Sequence, residues 1–418
     1  MTRLMMVKRT INFSINFLEK KLNSRELKSR PWKYFIEVSL SCNLRCITCG
    51  HHRSRFSGSM SDDVFEHIKP ILNFAKVVHE VGYGEPFLAP IFFNILKYIK
   101  QLGAYVDIYT NGMLLSQRVS EQLVTLGLDQ ITFSIDGGSK ETFESIRIGG
   151  DYSKIISNIG KLHQVKVNRR SHKPFLRANF VGMRRNIEEL PQLIENADQF
   201  GIKEVVLSDM FPPNGELAQE SLFYYRDLAD SVIERCKSIA KEHRINFISP
   251  SVFCDPALAT KGNMALNAAK SKPEGSERGH SPHPRRGDAP KSKGAKDAQL
   301  KNPYPCYEPW QTLYITHDGN VRPCCVINES FGSLLHETIS EIWNNEKYRL
   351  LRESVNTPSP VFEGCRRMPF AKKGSFLREG RIVHLAAVRS KQWPVSYDKE
   401  DTKIHGRILL RNGEMGRA

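Results

Sequence analysis

The run Tyr34-Phe35-Ile36-Glu37-Val38-Ser39-Leu40-Ser41-Cys42-Asn43-Leu44-Arg45-Cys46-Ile47-Thr48-Cys49-Gly50 decides how this chain is read. Its first seven residues alternate, with Ile36, Val38 and Leu40 on one face, and predict a strand. The cysteines that follow are spaced Cys-x3-Cys-x2-Cys. Three thiolates closing on one point can hold three irons of a four-iron cluster and leave the fourth open to bind something that reacts. They occupy the loop leaving a strand, where barrel and open-sheet enzymes place chemistry. A zinc site or inert core thiols is the alternative. Zinc sites show paired Cys-x2-Cys or Cys/His knuckles and four ligands, and His51 and His52 follow at once.

Outward from this loop the pattern alternates strand and helix as far as about Met210. Strands are predicted at Val77–Val81, Ala104–Tyr109, Gln130–Ile135, Phe175–Val181 and Glu204–Leu207, giving six with the first. Helices are predicted from Pro90 to Lys100, from Ser116 to Leu126 and after Ser139. Strands separated by helices imply parallel pairing through right-handed crossovers. Six such units predict an α/β fold, a partial (β/α)6 TIM-like barrel open on one side, with a small C-terminal α+β domain. The expected divisions are 1–33, a basic amphipathic segment; 34–260, the partial barrel; 261–303, a linker; 304–370, the second domain; and 371–418, a basic tail.

The chain has 418 residues and 40% hydrophobic content, enough for packed cores in two or three domains. Its nine cysteines are bunched, unlike a secreted disulfide framework. Neither a secretory signal nor a run of ~18 apolar residues is present, so a reducing cytoplasm is the expected location. The net charge is +16. Residues 270–301 alone hold nine basic and four acidic side chains with almost no apolar residues, the composition of a solvated linker. His280 and His283 within it read as solvated. No nucleic-acid motif is present, and no nucleic-acid partner is expected. At the N-terminus, Ile11, Ile15, Leu18 and Leu22 form one helical stripe, with Lys8, Arg9, Lys20, Lys21 and Arg25 around it and Glu19 and Glu26 offsetting part of that charge. Such a helix can pack on the barrel or rest peripherally on an anionic membrane.

The predicted strand ends carry further signals: Gly82-Tyr83-Gly84-Glu85-Pro86 after the second strand, Thr110-Asn111-Gly112 after the third, and Ser134-Ile135-Asp136-Gly137 after the fourth. Each alone is a common turn. In register at successive strand ends they form one binding site. With Cys42, Cys46 and Cys49 they resemble the radical S-adenosylmethionine (radical SAM) superfamily over roughly Tyr34 to Met210. The resemblance implies a [4Fe-4S] cluster on Cys42, Cys46 and Cys49. It also implies that Gly84 and Glu85, in the Gly-Glu-Pro motif, meet the amino group of SAM, and that Asn111, Ser134 and Asp136 lie at its ribose. The family often has an aromatic residue before the third cysteine, where this chain has Thr48. The fifth-strand contact falls in the region Phe180-Val181-Gly182-Met183. The implied activity is reductive cleavage of SAM, consumed as co-substrate, to a 5′-deoxyadenosyl radical that abstracts a hydrogen atom from a substrate.

Farther along, Cys306, Gly319 and Cys324 follow the spacing Cys-x12-Gly-x4-Cys, around a predicted hairpin at Leu313–Thr316 and Val321-Arg322. A helix is predicted from Ile339 to Arg352. This region resembles the SPASM or twitch extension, which binds auxiliary iron–sulfur clusters in its family. The resemblance makes Cys306, Cys324 and Cys365 the auxiliary ligands, with Cys325 the candidate fourth. Met368 stands where a closing cysteine is expected, so a degenerate module without a cluster is the alternative. Cys236 and Cys254 lie outside both groups and read as ordinary thiols. By resemblance the chain is an oxidoreductase or maturase with a reducing partner such as flavodoxin or ferredoxin. SPASM relatives act on peptides, sulfatase side chains and sugar-like small molecules. A peptide is the leading substrate, a carbohydrate or lipid-linked small molecule the alternative, and a non-enzymatic iron–sulfur sensor the third reading. No residue stands out in the sequence as a catalytic base.

Overall fold

The structure, a computed structural model, describes residues 3–50, 57–250, 305–357 and 359–366. The expected linker and basic tail, together with His51, His52, Cys254, His280, His283 and Met368, lie outside the described residues.

The chain opens with helix α1 (Arg3–Lys21). The alternating part follows as β1 (Lys33–Ile36), α2 (Asp62–Leu72), β2 (Val77–Glu80), α3 (Phe92–Gln101), β3 (Tyr105–Thr110), α4 (Gln117–Leu126) and β4 (Gln130–Ser134). It continues through α5 (Lys140–Ile146), α6 (Tyr152–Asn168), β5 (Phe175–Gly182), α7 (Leu190–Ala197), β6 (Glu204–Asp209), the one-turn α8 (Gly215–Ala218), α9 (Arg226–His243) and β7 (Asn246–Ile248). The helices begin where hydroxyl or carboxylate side chains meet free amides. Ser61, Ser116, Ser139 and Asp151 accept from Val64, Val119, Thr142 and Lys154 at the starts of α2, α4, α5 and α6. α4 stops at Gly127, whose φ of +70° closes the last turn in the left-handed region.

Strands β1 to β7 lie side by side in chain order, each parallel to the next. The six expected strands are all present. The short β7, at the barrel's far edge, adds a seventh that its three residues did not announce. The sheet stays open: β7 pairs with β6 alone and forms its far edge. Alternation sorts the side chains. Val78, Val106, Ile108, Ile131 and Phe133 are buried with Phe92, Ile95, Leu96 and Ile99 of α3 and their neighbours. Each such side chain contributes about 1.5–3 kcal/mol on burial. The other sheet face is polar. His79 Nδ1 lies 2.6 Å from Asp107 Oδ1, and Arg177 pairs with Glu204 on the adjacent strand.

After residue 305 come α10 (Glu308–Gln311), β8 (Thr312–Ile315), β9 (Asn320–Arg322), β10 (Gly332–Ser333), α11 (Ile339–Trp343), α12 (Glu346–Ser354) and α13 (Glu363–Arg366). The expected hairpin is β8–β9, turning at Gly319 with φ +79°. It also continues the barrel's sheet, because β8 pairs parallel with the free edge of β1. One apolar core therefore contains Tyr34 and Ile36 together with Trp310, Leu313, Trp343 and Tyr348. A buried pair reinforces the junction: Lys33 Nζ sits 3.0 Å from Glu308 Oε2, with both side chains almost wholly enclosed. The single helix expected from Ile339 to Arg352 is two, because Asn345 turns out of α11 and caps α12 by accepting from Tyr348.

α1 packs across the end of the barrel where strands begin. It touches the segments before β1, β2, β3 and β8, opposite the cysteine loop. The side it packs with is the polar one, so of the apolar stripe only Ile15 is half-buried while Ile11, Leu18 and Leu22 are exposed.

Candidate active site

The cysteine loop is fixed at both ends and in the middle. Leu40 N donates to Gly58 O at 2.8 Å and Glu85 N to Ser41 O at 2.8 Å. Arg45 N and Ile47 N, on either side of Cys46, donate to Ile148 O and Ile146 O at 2.9 Å each. The end of α5 thus clamps the loop. Gly84 makes the second contact possible: a Cβ there would lie 2.2 Å from Ser39 O and 2.8 Å from Ser41 O.

Cys46 is buried, Cys49 half-buried and Cys42 exposed. Burial pushes the Cys42 thiol up, and Glu85, Cys46 and Cys49 push it further, so the three thiols share one electrostatic field. Burial also raises the Cys46 thiol, with Arg147 opposing it. Sulfurs held protonated by their surroundings ionise when a cation is placed among them. Among the described residues no three such side chains converge on one metal-ion position, but three thiols on one loop within one field are the donor type of an iron–sulfur cluster, each of whose irons takes a single thiolate.

Around the thiols stand the other expected residues. Asn111 Nδ2 donates to Asn43 Oδ1 at 2.9 Å and approaches Cys42 Sγ at 3.9 Å. Ser134 is half-buried at the carboxyl end of β4, opposite Asn179 of β5. Glu85 and Asp136 are turned into the protein. Glu85 accepts from Thr110 Oγ1 at 2.6 Å and Asn111 N at 2.9 Å, tying two strand ends together. Burial raises its carboxyl to about 7 despite those hydrogen bonds. Asp136 accepts from Val181 N at 2.9 Å and pairs with Arg147 Nη2 at 2.6 Å.

Arg147 joins the site without any mark in the local sequence. Its Nη1 lies 3.8 Å from Cys46 Sγ. Burial works against its charge, but Asp136, Cys46 and Cys49 outweigh that and hold it cationic. Its buried Nε has no hydrogen-bond partner among the described residues. A cation with a spare donor beside the loop fits an anionic group of a bound cofactor. Arg147 lies eleven positions beyond Asp136, at the C-cap of α5.

The C-terminal region brings a second group together. Burial, then Cys325, Cys365 and Cys306, drive the Cys324 thiol well up. Burial, then Cys306, raises Cys365 to about 12. Asn356 fixes Cys306, accepting from its N at 2.7 Å and donating to its O at 3.1 Å. Cys306, Cys324 and Cys365 are thus neighbours, and Cys325 is exposed. Between the two groups lies the mouth of the barrel. Tyr83 stands there half-exposed, within electrostatic reach of both Cys49 and Cys325. Glu37 is buried beside it. Tyr314 Oη on β8 donates to Glu37 Oε2 at 2.7 Å, and His317 Nδ1 is 3.8 Å from Glu37 Oε1. The strand alternation that put Ile36 and Val38 outward was the available signal for Glu37.

The model of the radical SAM superfamily matches residues 36–197, and that of the iron–sulfur cluster-binding SPASM domain matches residues 306–367. A probable GTP 3′,8-cyclase of Saccharolobus solfataricus is 30% identical over 229 residues, 52% of this chain and 70% of the relative. The chain belongs to the radical SAM superfamily. An AdoMet-dependent heme synthase of Methanosarcina barkeri is 25% identical over 358 residues, covering 82% of this radical SAM protein and 93% of the relative. Among solved structures, Streptococcus suis SuiB bound to S-adenosylmethionine has the same fold. Its TM-score is 0.56 and its identity 17%, covering 90% of this chain and 77% of SuiB. The fold also matches anSMEcpe with bound AdoMet and the Cp18Cys peptide, with a TM-score of 0.51 and 18% identity, covering 86% and 95% of the two chains. This radical SAM protein is an enzyme that uses a [4Fe-4S] cluster and S-adenosylmethionine, with a SPASM domain that implies auxiliary iron–sulfur clusters. Among the described residues, no helix is long and apolar enough to cross a membrane.

Proposed function

We propose that this radical SAM enzyme abstracts a hydrogen atom from a peptide held at the mouth between its two cysteine groups, and oxidises or otherwise modifies it. The observation that carries the reading is the half-exposed Tyr83, within electrostatic reach of both Cys49 and Cys325, with Glu37 buried beside it and Tyr314 of the hairpin bonded to Glu37. The exposed rings of Tyr83 and Phe211, at the ends of β2 and β6, give that mouth apolar surface for a side chain. Solved structures of the same fold include SuiB bound to its precursor peptide and anSMEcpe with a peptide.

In this reading Cys42, Cys46 and Cys49 hold the catalytic cluster, and Cys306, Cys324 and Cys365, with Cys325 as candidate fourth ligand, hold the auxiliary one. Gly84, Asn111 and Ser134 line the S-adenosylmethionine site. Glu85 and Asp136 act behind them, fixing Asn111 and Arg147. Arg147 supplies a fixed cation for the cofactor's carboxylate. When bound, the cluster and S-adenosylmethionine supply one-electron cleavage of the sulfonium and a carbon radical that removes the hydrogen atom. Oxidation also requires loss of a proton, and Glu37 is the acceptor at the mouth. Burial raises its carboxyl above the usual range, which makes its carboxylate a stronger base. A reducing partner such as flavodoxin or ferredoxin delivers the electron.

The second reading, a small-molecule substrate, is favoured by the heme synthase match, which spans 93% of that relative. Its lipid-linked form gains nothing from α1, which lies at the opposite end of the barrel from the mouth. The test is anaerobic turnover with dithionite, S-adenosylmethionine and a fractionated extract, following 5′-deoxyadenosine. Stimulation abolished by protease treatment of the fraction supports a peptide. Stimulation by a protease-resistant fraction below ~1 kDa overturns the peptide reading and leaves the small molecule.

A further inference from the structure

α1 is held to the protein by its polar side. Arg9, Asn12, Asn16 and Glu19 are the residues it buries. Arg9 donates from Nε to Asn73 O and from Nη1 to Leu102 O, both at 2.6 Å. Asn12 exchanges two hydrogen bonds with the Arg30 backbone, at 2.7 and 3.0 Å. Asn16 accepts from Trp32 Nε1 at 2.9 Å and donates to Ser29 Oγ at 2.9 Å. The Glu19 carboxylate receives Lys28 N and Ser29 N. Most of these bonds satisfy a backbone or ring group that burial would otherwise leave unpaired, and Asn16 also pairs the Ser29 hydroxyl. The helix is therefore fixed in rotation, and its other face is set outward by design of the contact rather than by lack of one.

That outward face is apolar. Val7, Ile11, Leu18 and Leu22 are 52%, 54%, 58% and 76% exposed. At 3.6 residues per turn these four fall within an arc of roughly 60°. Met6 and Phe17 are also exposed, beyond Lys21 on that side of the helix. Lys8 borders the stripe on one side and Lys21 on the other, both exposed. The only carboxylate in Arg3–Lys21 is Glu19, which is buried. An apolar strip edged by cations and free of exposed acids matches the boundary between headgroups and acyl chains of an anionic membrane. A second copy of this chain would bring the same lysines face to face, and like charges repel.

We propose that α1 is a membrane-surface dock that lays Val7, Ile11, Leu18 and Leu22 into an anionic bilayer, with Lys8 and Lys21 on the phosphates. Because α1 spans the strand-start end of the barrel, docking turns the cysteine mouth away from the bilayer. The enzyme then meets its substrate and reductant from the aqueous side while concentrated at the surface.

The full-length, cluster-reconstituted protein tests this by co-sedimentation with vesicles of phosphatidylglycerol and phosphatidylcholine, beside pure phosphatidylcholine. The wild type is expected to bind the anionic vesicles, and to be released by ~0.5 M salt. Ile11→Ser/Leu18→Ser and Lys8→Gln/Lys21→Gln should each weaken binding at least tenfold. The thermal transition and basal 5′-deoxyadenosine formation should stay unchanged, since the four side chains are exposed and remote from the mouth. Basic segments elsewhere in the chain can also attract anionic vesicles, and the variants separate that source. Undiminished binding by Ile11→Ser/Leu18→Ser overturns the proposal. So does an absence of wild-type binding, or a wild-type dimer in light scattering that the same variant dissociates.

Discussion

Lys33→Met tests whether the C-terminal hairpin is built into the barrel. Lys33 opens β1 and Glu308 begins α10, just before β8. Their side chains are 0% and 5% exposed, with Nζ at 3.0 and 3.2 Å from the two carboxylate oxygens. The methionine fills a similar volume but leaves Glu308 buried without its cation. Breaking one side of such a pair costs about 3–5 kcal/mol. Glu308 keeps hydrogen bonds from Thr312 Oγ1 and Gln311 Nε2, which places the expected loss at about 3 kcal/mol. That is roughly two powers of ten in the folding equilibrium. Lys33→Met/Glu308→Leu removes both charges and should recover to within about 1 kcal/mol of wild type. Urea denaturation of the iron-free protein, followed by tryptophan fluorescence, reads both variants, as Trp310 lies on α10 itself. A single variant losing less than about 1 kcal/mol, or a double variant no more stable than the single, shows that the pair does not hold the hairpin to the barrel.

Glu85→Gln should flatten part of the pH dependence of stability. The folded carboxyl titrates at about 7, above its ordinary value, so the folded state binds the proton more tightly and loses stability as pH rises from about 4.5 through 7. The slope removed amounts to about 3 kcal/mol across that window, measured as the difference between wild-type and variant unfolding at each pH; an unchanged slope shows that Glu85 is not its source. Gly84→Ala should displace the cysteine loop, since its Cβ meets two backbone oxygens of that loop. Iron bound after reconstitution should fall by about one cluster, and a wild-type content contradicts the packing argument. Glu37→Gln should leave substrate-independent 5′-deoxyadenosine formation intact while slowing oxidised product at least tenfold. Equal loss of both would remove Glu37 from the proton-accepting role.

The barrel was legible because its strands are apolar runs with hydrogen-bonding turns between them, and because the three-cysteine loop falls after the first strand. β7 was not, since three residues carry no period. The helix break at Asn344-Asn345 was hidden by continuous apolar spacing, although Asn345 is an ordinary capping residue. α1 was seen as amphipathic, but the usual rule places the apolar face inward. Four buried polar side chains with matched backbone partners reversed it, and those partners lie as far away as Leu102 and Trp310. Cys42, Cys46 and Cys49 lie on one short loop, so their grouping could be read. Arg147 reaches the site through the fold of α5, and Tyr314 through the pairing of β8 with β1. Glu85 and Asp136 sat in recognisable motifs, yet their carboxylates face the protein, which only the hydrogen-bond geometry shows.

In this enzyme Cys42, Cys46 and Cys49 are proposed to carry the cluster that drives the reaction, separate from the group at Cys306, Cys324 and Cys365. The direct test compares wild type with Cys42→Ala/Cys46→Ala/Cys49→Ala after anaerobic reconstitution, measuring iron content and 5′-deoxyadenosine formed with dithionite. The wild type should bind iron at both groups and form 5′-deoxyadenosine; the variant should keep only the second iron population and form none. A variant that still forms 5′-deoxyadenosine removes the three cysteines from that role, as does a wild type with a verified cluster that forms none.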